Sequence, residues 1–370
     1  MLPDPARALS LLKPSVRQAS RYSLEASPPA SRRLNQNESP WEPPAEIKRA
    51  ILERAAAAAW NRYPDFTPSA LRRRLAERHH WEPEGVLVGN GSNEVIQAVL
   101  AAVVRAGDAV LAPSPTFSLY RLLVGTNEGR YVPVPLGPSF EYDLGALVDT
   151  ARREAAKAII LCSPNNPTGS ALPEHGVRRL LDETDALLLC DEAYQDFGGP
   201  SAVSLLRESA RVMVFRTFSK AVGLAGLRFG YALAHPALAG EVAKAVLPYN
   251  VNLVTLAAAE AVLDREPVFA ERVQAIVRER DRFVAGLREI EGMAVFPGEA
   301  NFVLVRLASR PGSEVFRALR DQHGILVRDV SAAPGLSDCL RISIGTREDT
   351  DATLEALSAL VSARATVTGG

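Results

Sequence analysis

From about residue 86 the chain repeats one device: a short unbroken apolar run that stops at a turn. The runs are "VLVG" (86–89), "AVLA" (109–112), "AIILC" (158–162), "ALLLC" (186–190), "VMVF" (212–215) and "FGYAL" (229–233). Continuous apolarity means burial on both faces, which is the signature of strands inside a largely parallel sheet. Helical stretches such as "SNEVIQAVLAAVVRA" (92–106) and "PEHGVRRLLDETD" (173–185) separate several of them. Strand, turn and helix in alternation give an α/β fold with helices on each side of the sheet. Ligands of such sheets bind beyond the carboxyl ends of the strands, so the turns are where chemistry is expected.

The rest of the chain divides around this block. At 370 residues it exceeds one typical hydrophobic core, so a large and a smaller domain are expected. Residues 1–45 are rich in Pro, Ser and Arg without sustained periodicity, and read as an arm packed on something larger. Residues 46–250 form the large domain, entered through a helix in "PAEIKRAILERAAAAAW" (44–60) with Pro near its start. Residues 251–370 change character, with a long amphipathic helix (267–290) and then short strands at 293–296, 301–307 and 340–344. A last helix starts near Thr346, a suitable N-cap with acidic residues in the first turn. This is an α+β second domain.

Charge and cysteine usage narrow the function. A formal net charge of −1 gives no electrostatic case for nucleic acid or an anionic membrane as partner. The arginines of "LRRRLAERHH" (71–80) look like a solvated helix face. His79 and His80 are adjacent, not four apart as helical metal ligands need, so no metal site is expected. Cys162, Cys190 and Cys339 are too scattered for a disulfide framework and suit reduced thiols. Without a leader-like N-terminus or a run of about 18 apolar residues, a cytoplasmic protein is expected.

Four strand ends carry the chemistry. "GNGSNE" (89–94) sets glycines and a hydroxyl at a helix start, where free N–H groups favour an anion such as phosphate. A plain βα turn capped by Ser92 would explain it equally well. Glu94 stands where the dinucleotide fingerprint has its third glycine, which argues against a nicotinamide enzyme. "SPNNPTG" (163–169) offers the amides of Asn165 and Asn166 on a turn stiffened by prolines. Asp191, directly after "ALLLC", is costly to bury unless a cation or donors satisfy it, and Tyr194 lies on the same turn. Its plain alternative is an N-cap or a structural salt bridge.

Lys220 follows "VMVFRTFS", with Thr217 and Ser219 before it and Arg228 beyond in a glycine-spaced loop. A lysine in a desolvated pocket sheds its charge and becomes a nucleophile able to form a Schiff base. The hydroxyls and Arg228 make a second half of a phosphate cup. An aldehyde for the lysine, a phosphate for the cup and a ring nitrogen for the aspartate are united in pyridoxal phosphate.

With these motifs the chain resembles the fold-type I, class I/II aminotransferases that use this cofactor. "SPNNPTG", "DEAYQDF" and "SKAVGLAGLRFGY" occur in the family's order and spacing. The resemblance implies a large domain with a mostly parallel seven-stranded sheet plus a smaller α+β domain. It implies that Lys220 binds the cofactor and later shuttles a proton, and that Asp191 keeps the pyridine nitrogen protonated. Tyr194 and Asn166 would hydrogen-bond the ring's phenolic oxygen. Ser92, Asn93, Thr217, Ser219 and Arg228 would hold the phosphate. Phe117, in "SPTFSLY" (114–120), matches the aromatic that stacks on the ring. Tyr63, in "NRYPD" (61–65), matches a tyrosine that reaches the phosphate from a neighbouring subunit, which implies a homodimer with shared active sites.

Within that family "LNQNESPWEPP" (34–44), "PYNVN" (248–252), "ANFVLV" (300–305) and "LRISIGTRED" resemble histidinol-phosphate aminotransferases. The implied reaction is amino transfer between L-histidinol phosphate and 2-oxoglutarate, giving imidazole acetol phosphate and glutamate, in histidine biosynthesis. Arg341 and Arg328 match the family's substrate-anion arginines. Tyr22 matches an N-terminal tyrosine over the substrate phosphate, although Arg21 replaces the usual preceding proline. Other readings of the same motifs are an aromatic-amino-acid aminotransferase, a phosphothreonine decarboxylase and a non-catalytic ligand sensor. The last is disfavoured by an intact lysine set and by the lack of a DNA-binding extension.

Overall fold

The computed structural model describes residues 4–20, 30–296 and 298–362. The large unit is built on seven strands. They are β1 (Val86–Gly89), β2 (Ala109–Ser114), β3 (Arg130–Pro135), β4 (Ala158–Cys162), β5 (Leu187–Asp191), β6 (Val212–Thr217) and β7 (Gly230–Ala234). Their order across the sheet is β1-β7-β6-β5-β4-β2-β3. Strands β2 to β6 pair in parallel, and β7 runs antiparallel to both β6 and β1. All six apolar runs form strands. The seventh, β3, has the sequence "RYVPVP", whose two prolines cannot donate to a ladder. It sits at the sheet edge, where one side needs no partner.

Period-2 alternation divides the strands between two helical layers. Ile159, Leu161, Leu188, Cys190, Val212 and Val214 belong to the core on one face. That face is covered by five helices: Ala45–Ala57, Ser69–Arg78, Leu144–Arg153, Glu174–Glu183 and Leu253–Leu263. Ala158, Ile160, Cys162, Leu189, Met213 and Phe215 belong to the other, covered by Ser92–Val103, Leu119–Thr126 and Pro236–Val242. Both layers are buried, so truncating a large side chain in either costs about 2–5 kcal/mol.

The second unit is an antiparallel sheet of β8 (Met293–Phe296), β9 (Phe302–Leu307), β10 (Arg328–Asp329) and β11 (Cys339–Ser343), in the order β10-β11-β9-β8. Helices Glu266–Arg288, Gly312–His323 and Arg347–Ser362 pack with it. The last helix opens on a reciprocal cap. Thr346 Oγ1 accepts from the Asp349 N–H at 3.3 Å, and the Asp349 carboxylate accepts from the Thr346 N–H at 3.0 Å.

Chain order and packing do not coincide at residue 250. The helix Leu253–Leu263 and Phe269 pack in the five-helix layer of the large sheet, whereas Val273, Ile276 and Phe283 pack in the second core. We propose the junction between the two units inside the helix Glu266–Arg288. At the other end, Arg32–Arg33 pairs in parallel with Ile325–Leu326, and Leu34 is buried in the second core. The second unit is therefore made from both ends of the chain.

No helix among the described residues is long and apolar enough to cross a membrane. Cys162, Cys190 and Cys339 are buried and free.

Candidate active site

A cleft of about 650 Å³ opens over the carboxyl ends of β2, β4, β5 and β6. Its walls also include the start of helix Ser92–Val103, the segment 35–37, and residues 328–330, 332–334 and Arg341 of the second unit.

Asp191 ends β5. Alternation with Leu189 turns its side chain toward the three-helix layer, and it is 4% exposed. One carboxylate oxygen accepts from the Tyr120 hydroxyl at 2.6 Å and the other from the Ala193 N–H at 3.1 Å. Among the described residues no cation pairs with it. Burial raises its pKa, and the Tyr120 and Ala193 hydrogen bonds pull it back. A buried carboxylate with two donors and no counter-charge suits an incoming cationic ring nitrogen.

Lys220 stands in the cleft with its side chain largely away from water. Its Nζ donates to the Gln36 carbonyl at 2.8 Å and lies 5.7 Å from the centre of the Tyr194 ring. Loss of water lowers its pKa to about 7; Arg341 and Arg228 push the same way, against Glu38. An amine of that acidity is substantially unprotonated near neutrality, as a nucleophile must be. The buried Tyr194 hydroxyl accepts from Asn37 Nδ2 at 3.0 Å, and burial raises its pKa. Asn166 Oδ1 accepts from Arg341 Nη1 at 2.5 Å, while Arg341 Nη2 donates to the Asn35 carbonyl at 2.5 Å. Phe117 lines the cleft and meets Tyr120 edge-on, with 5.5 Å between ring centres.

The anion-binding end is built by close backbone approach. Gly89, Gly230 and Thr217 sit side by side on β1, β7 and β6. A Cβ on Gly230 would lie 2.1 Å from the Ser92 nitrogen, so only glycine lets β7 pass the helix start. Gly91 has φ +87°, and a Cβ there would lie 2.5 Å from Arg228 Nη2. Gly91, not Ser92, is the N-cap, and it makes no side-chain cap. The helix start thus presents its N–H groups and Ser92 and Asn93 to the cleft, next to a guanidinium. Arg228 Nη1 donates to Ser219 Oγ at 3.1 Å, and Thr217 Oγ1 lies 3.0 Å from Ser219 Oγ. Arg228 itself holds φ +56°, a left-handed conformation set by its packed loop.

Of the remaining candidates, Arg328 lies opposite Arg341 in register and both line the cleft. Tyr63 lies outside it: 80% exposed, its ring stacks on Tyr249 at 4.4 Å. Tyr22 lies outside the described residues. Two residues that sequence reasoning did not single out, Tyr120 and Asn37, hold Asp191 and Tyr194 in place. Tyr120 carried one weak signal, a phenol in an apolar helix that must find a partner. An acidic amine, an uncompensated carboxylate and an anion cup together fit a cofactor with an aldehyde, a basic ring and a phosphate.

Residues 32–357 match the model of the family described as aminotransferase class I and II. The histidinol-phosphate aminotransferase of Chlorobaculum tepidum is 38% identical over 351 residues, 95% of this chain and 100% of that protein. That of Prosthecochloris aestuarii is 37% identical, over 94% of this chain and 97% of its own. The crystal structure of histidinol-phosphate aminotransferase from Sinorhizobium meliloti in complex with pyridoxal-5'-phosphate superposes with a TM-score of 0.85 at 28% identity. The match covers 95% of this chain and 98% of that one. Family model and relatives agree along nearly the full length, and the chain belongs to the class I and II aminotransferases.

Proposed function

We propose that this aminotransferase uses pyridoxal 5'-phosphate to move an amino group between L-histidinol phosphate and 2-oxoglutarate. The observation that carries it is one cleft holding Lys220, Asp191, Tyr194, the Arg228 cup and two further arginines. The histidinol-phosphate aminotransferases at 37–38% identity support the substrate. When bound, the cofactor supplies an aldehyde for the amine and an electron-withdrawing ring. Lys220 would hold it through its amine, and the freed Nζ would then take up and return the substrate's proton. Asp191 holds the ring nitrogen's proton. Tyr194 and Asn166 would donate to its phenolic oxygen, and Phe117 would lie beside its ring. Ser92, Asn93, Thr217, Ser219 and Arg228 hold its phosphate. Arg341 and Arg328 take the substrate's anion, because guanidinium forks pair with phosphate and carboxylate alike.

A homodimer goes with this reading. Trp60, Tyr63 and Phe66 are exposed on one surface segment, and Tyr63 and Phe66 both contact the Tyr249 ring. Such an aromatic patch on a globular chain suits burial against a second copy, with Tyr63 reaching the partner's phosphate. Three buried free thiols suit a reducing cytoplasmic setting.

The deciding experiment compares steady-state kcat/KM for histidinol phosphate and for phenylalanine, each with 2-oxoglutarate. Histidinol phosphate is expected to be the far better donor. Faster turnover of phenylalanine makes the chain an aromatic aminotransferase instead, and carbon dioxide released from phosphothreonine makes it a decarboxylase.

A further inference from the structure

Asn37 is 1% exposed, holds a left-handed φ of +54°, and has partners on every polar group. Its N–H donates to Ser343 Oγ at 2.8 Å, and Ser343 Oγ donates to Asn37 Oδ1 at 3.0 Å. Its carbonyl accepts from Asn301 Nδ2 at 3.0 Å, and its own Nδ2 donates to the Tyr194 hydroxyl at 3.0 Å. A backbone N–H can only donate, so Ser343 Oγ accepts there, and among the described residues its proton has one acceptor, Asn37 Oδ1. Turning the amide round would bring a second donor to Ser343 and strand its buried proton. The amide nitrogen therefore faces Tyr194. Since Tyr194 Oη accepts from that side, its own proton is left to point into the cleft.

We infer that Asn37 is a positioning residue: clamped by Ser343 of β11, it aims the Tyr194 hydroxyl proton at the cofactor's phenolic oxygen. The inference rests on the reading that Tyr194 faces the cofactor. Through Asn37, β11 of the second unit sets the proton direction of a group on the turn that follows β5. A donated proton makes the phenolic oxygen less basic, so the cofactor's visible band titrates at lower pH.

The test is a spectroscopic pH titration of the holoenzyme. Asn37→Asp keeps size and tolerates positive φ, and once ionised its carboxylate can only accept, so it draws the Tyr194 proton away from the cleft. The midpoint of the visible band is expected to rise by about half a pH unit or more, while cofactor stays bound. Ser343→Ala frees the amide to rotate and is expected to give a smaller rise. It also serves as the test should Asn37→Asp fail to fold. In a Tyr194→Phe background neither substitution is expected to add to the shift that Tyr194→Phe makes alone. An unmoved midpoint in both variants, or an equal rise with and without the Tyr194 hydroxyl, overturns the inference. A midpoint that Tyr194→Phe itself leaves unmoved overturns the underlying reading of Tyr194, and the inference with it.

Discussion

Two carboxylates stand next to each other at the end of β5 and lead opposite lives. Strand alternation sends Asp191 to the three-helix face and Glu192 to the five-helix face. Glu192 is as buried as Asp191 but fully compensated, with Arg216 at 2.7 Å, the Ser201 hydroxyl at 2.8 Å and the Ala202 N–H. Around it Asp196 approaches Arg216, Arg78 bridges Asp196 and Glu266, and His79 meets the Tyr231 hydroxyl at 2.7 Å. The same split runs along β6: Arg216 faces this paired cluster, while Thr217 faces the anion cup. One face closes its electrostatics within the protein. The other leaves a carboxylate, an amine and an anion cup short of partners, and that shortfall marks the site.

Substitutions at the two carboxylates should separate chemistry from stability. Asp191→Asn is expected to lower kcat by on the order of 10³-fold with an unchanged melting temperature, measured by steady-state assay and calorimetry. Glu192→Gln should do the reverse. Removing one member of a buried pair leaves Arg216 with only the more distant Asp196 as counter-charge and costs about 3 kcal/mol of stability, while the folded fraction keeps its kcat. Equal stability losses for the two variants would erase the contrast.

Tyr120→Phe sharpens it further by taking away one of the two donors that Asp191 has. A rate loss of about tenfold is expected, since a hydrogen bond to a charged group is worth about 1.5–3 kcal/mol and Ala193 still donates. Stopped-flow of the first half-reaction reads it directly.

A separate contrast lies in pH. Lys220 is held to about 7 in the folded chain against an ordinary 10.5. Below 7 both folded and unfolded states carry the proton, and burial of the ammonium costs stability in full. Between 7 and 10.5 the unfolded state binds more protons, so this group makes the cofactor-free protein more stable as pH rises. Denaturant melts of wild type and Lys220→Ala across that range should show a slope in the first that is missing from the second.

Much of the site was legible because its residues sit where local pattern is strong. Asp191 and Lys220 follow apolar runs, where a charge is costly to bury, although an N-cap, a salt bridge or a surface lysine remained open as plain alternatives. What was not legible depends on distance along the chain. Tyr120 meets Asp191 across 71 residues, and Asn37 meets Ser343 across 306, so neither partner is visible from local spacing. The direction of β7 was hidden for a related reason: an apolar run has no arrow, and its neighbours on both sides decide it. Strand β3 was hidden by prolines that only an edge position tolerates. Ser92 looked like a cap, but the chain uses Gly91, because Arg228 leaves no room for a Cβ at that turn.

The segment from Arg32 to Asn37 has a consequence for how the molecule is made. These residues leave the ribosome early, yet they pair with Ile325–Leu326 and with Arg341 and Ser343, which emerge near the end. The seven-stranded sheet is complete by Ala234 and can form during translation, but the segment whose Gln36 carbonyl Lys220 contacts takes its anchors from later residues, namely Asn301, Ile325–Leu326 and β11. A nascent chain whose seven strands have emerged but whose second unit has not therefore holds a folded sheet whose reactive lysine still lacks its floor.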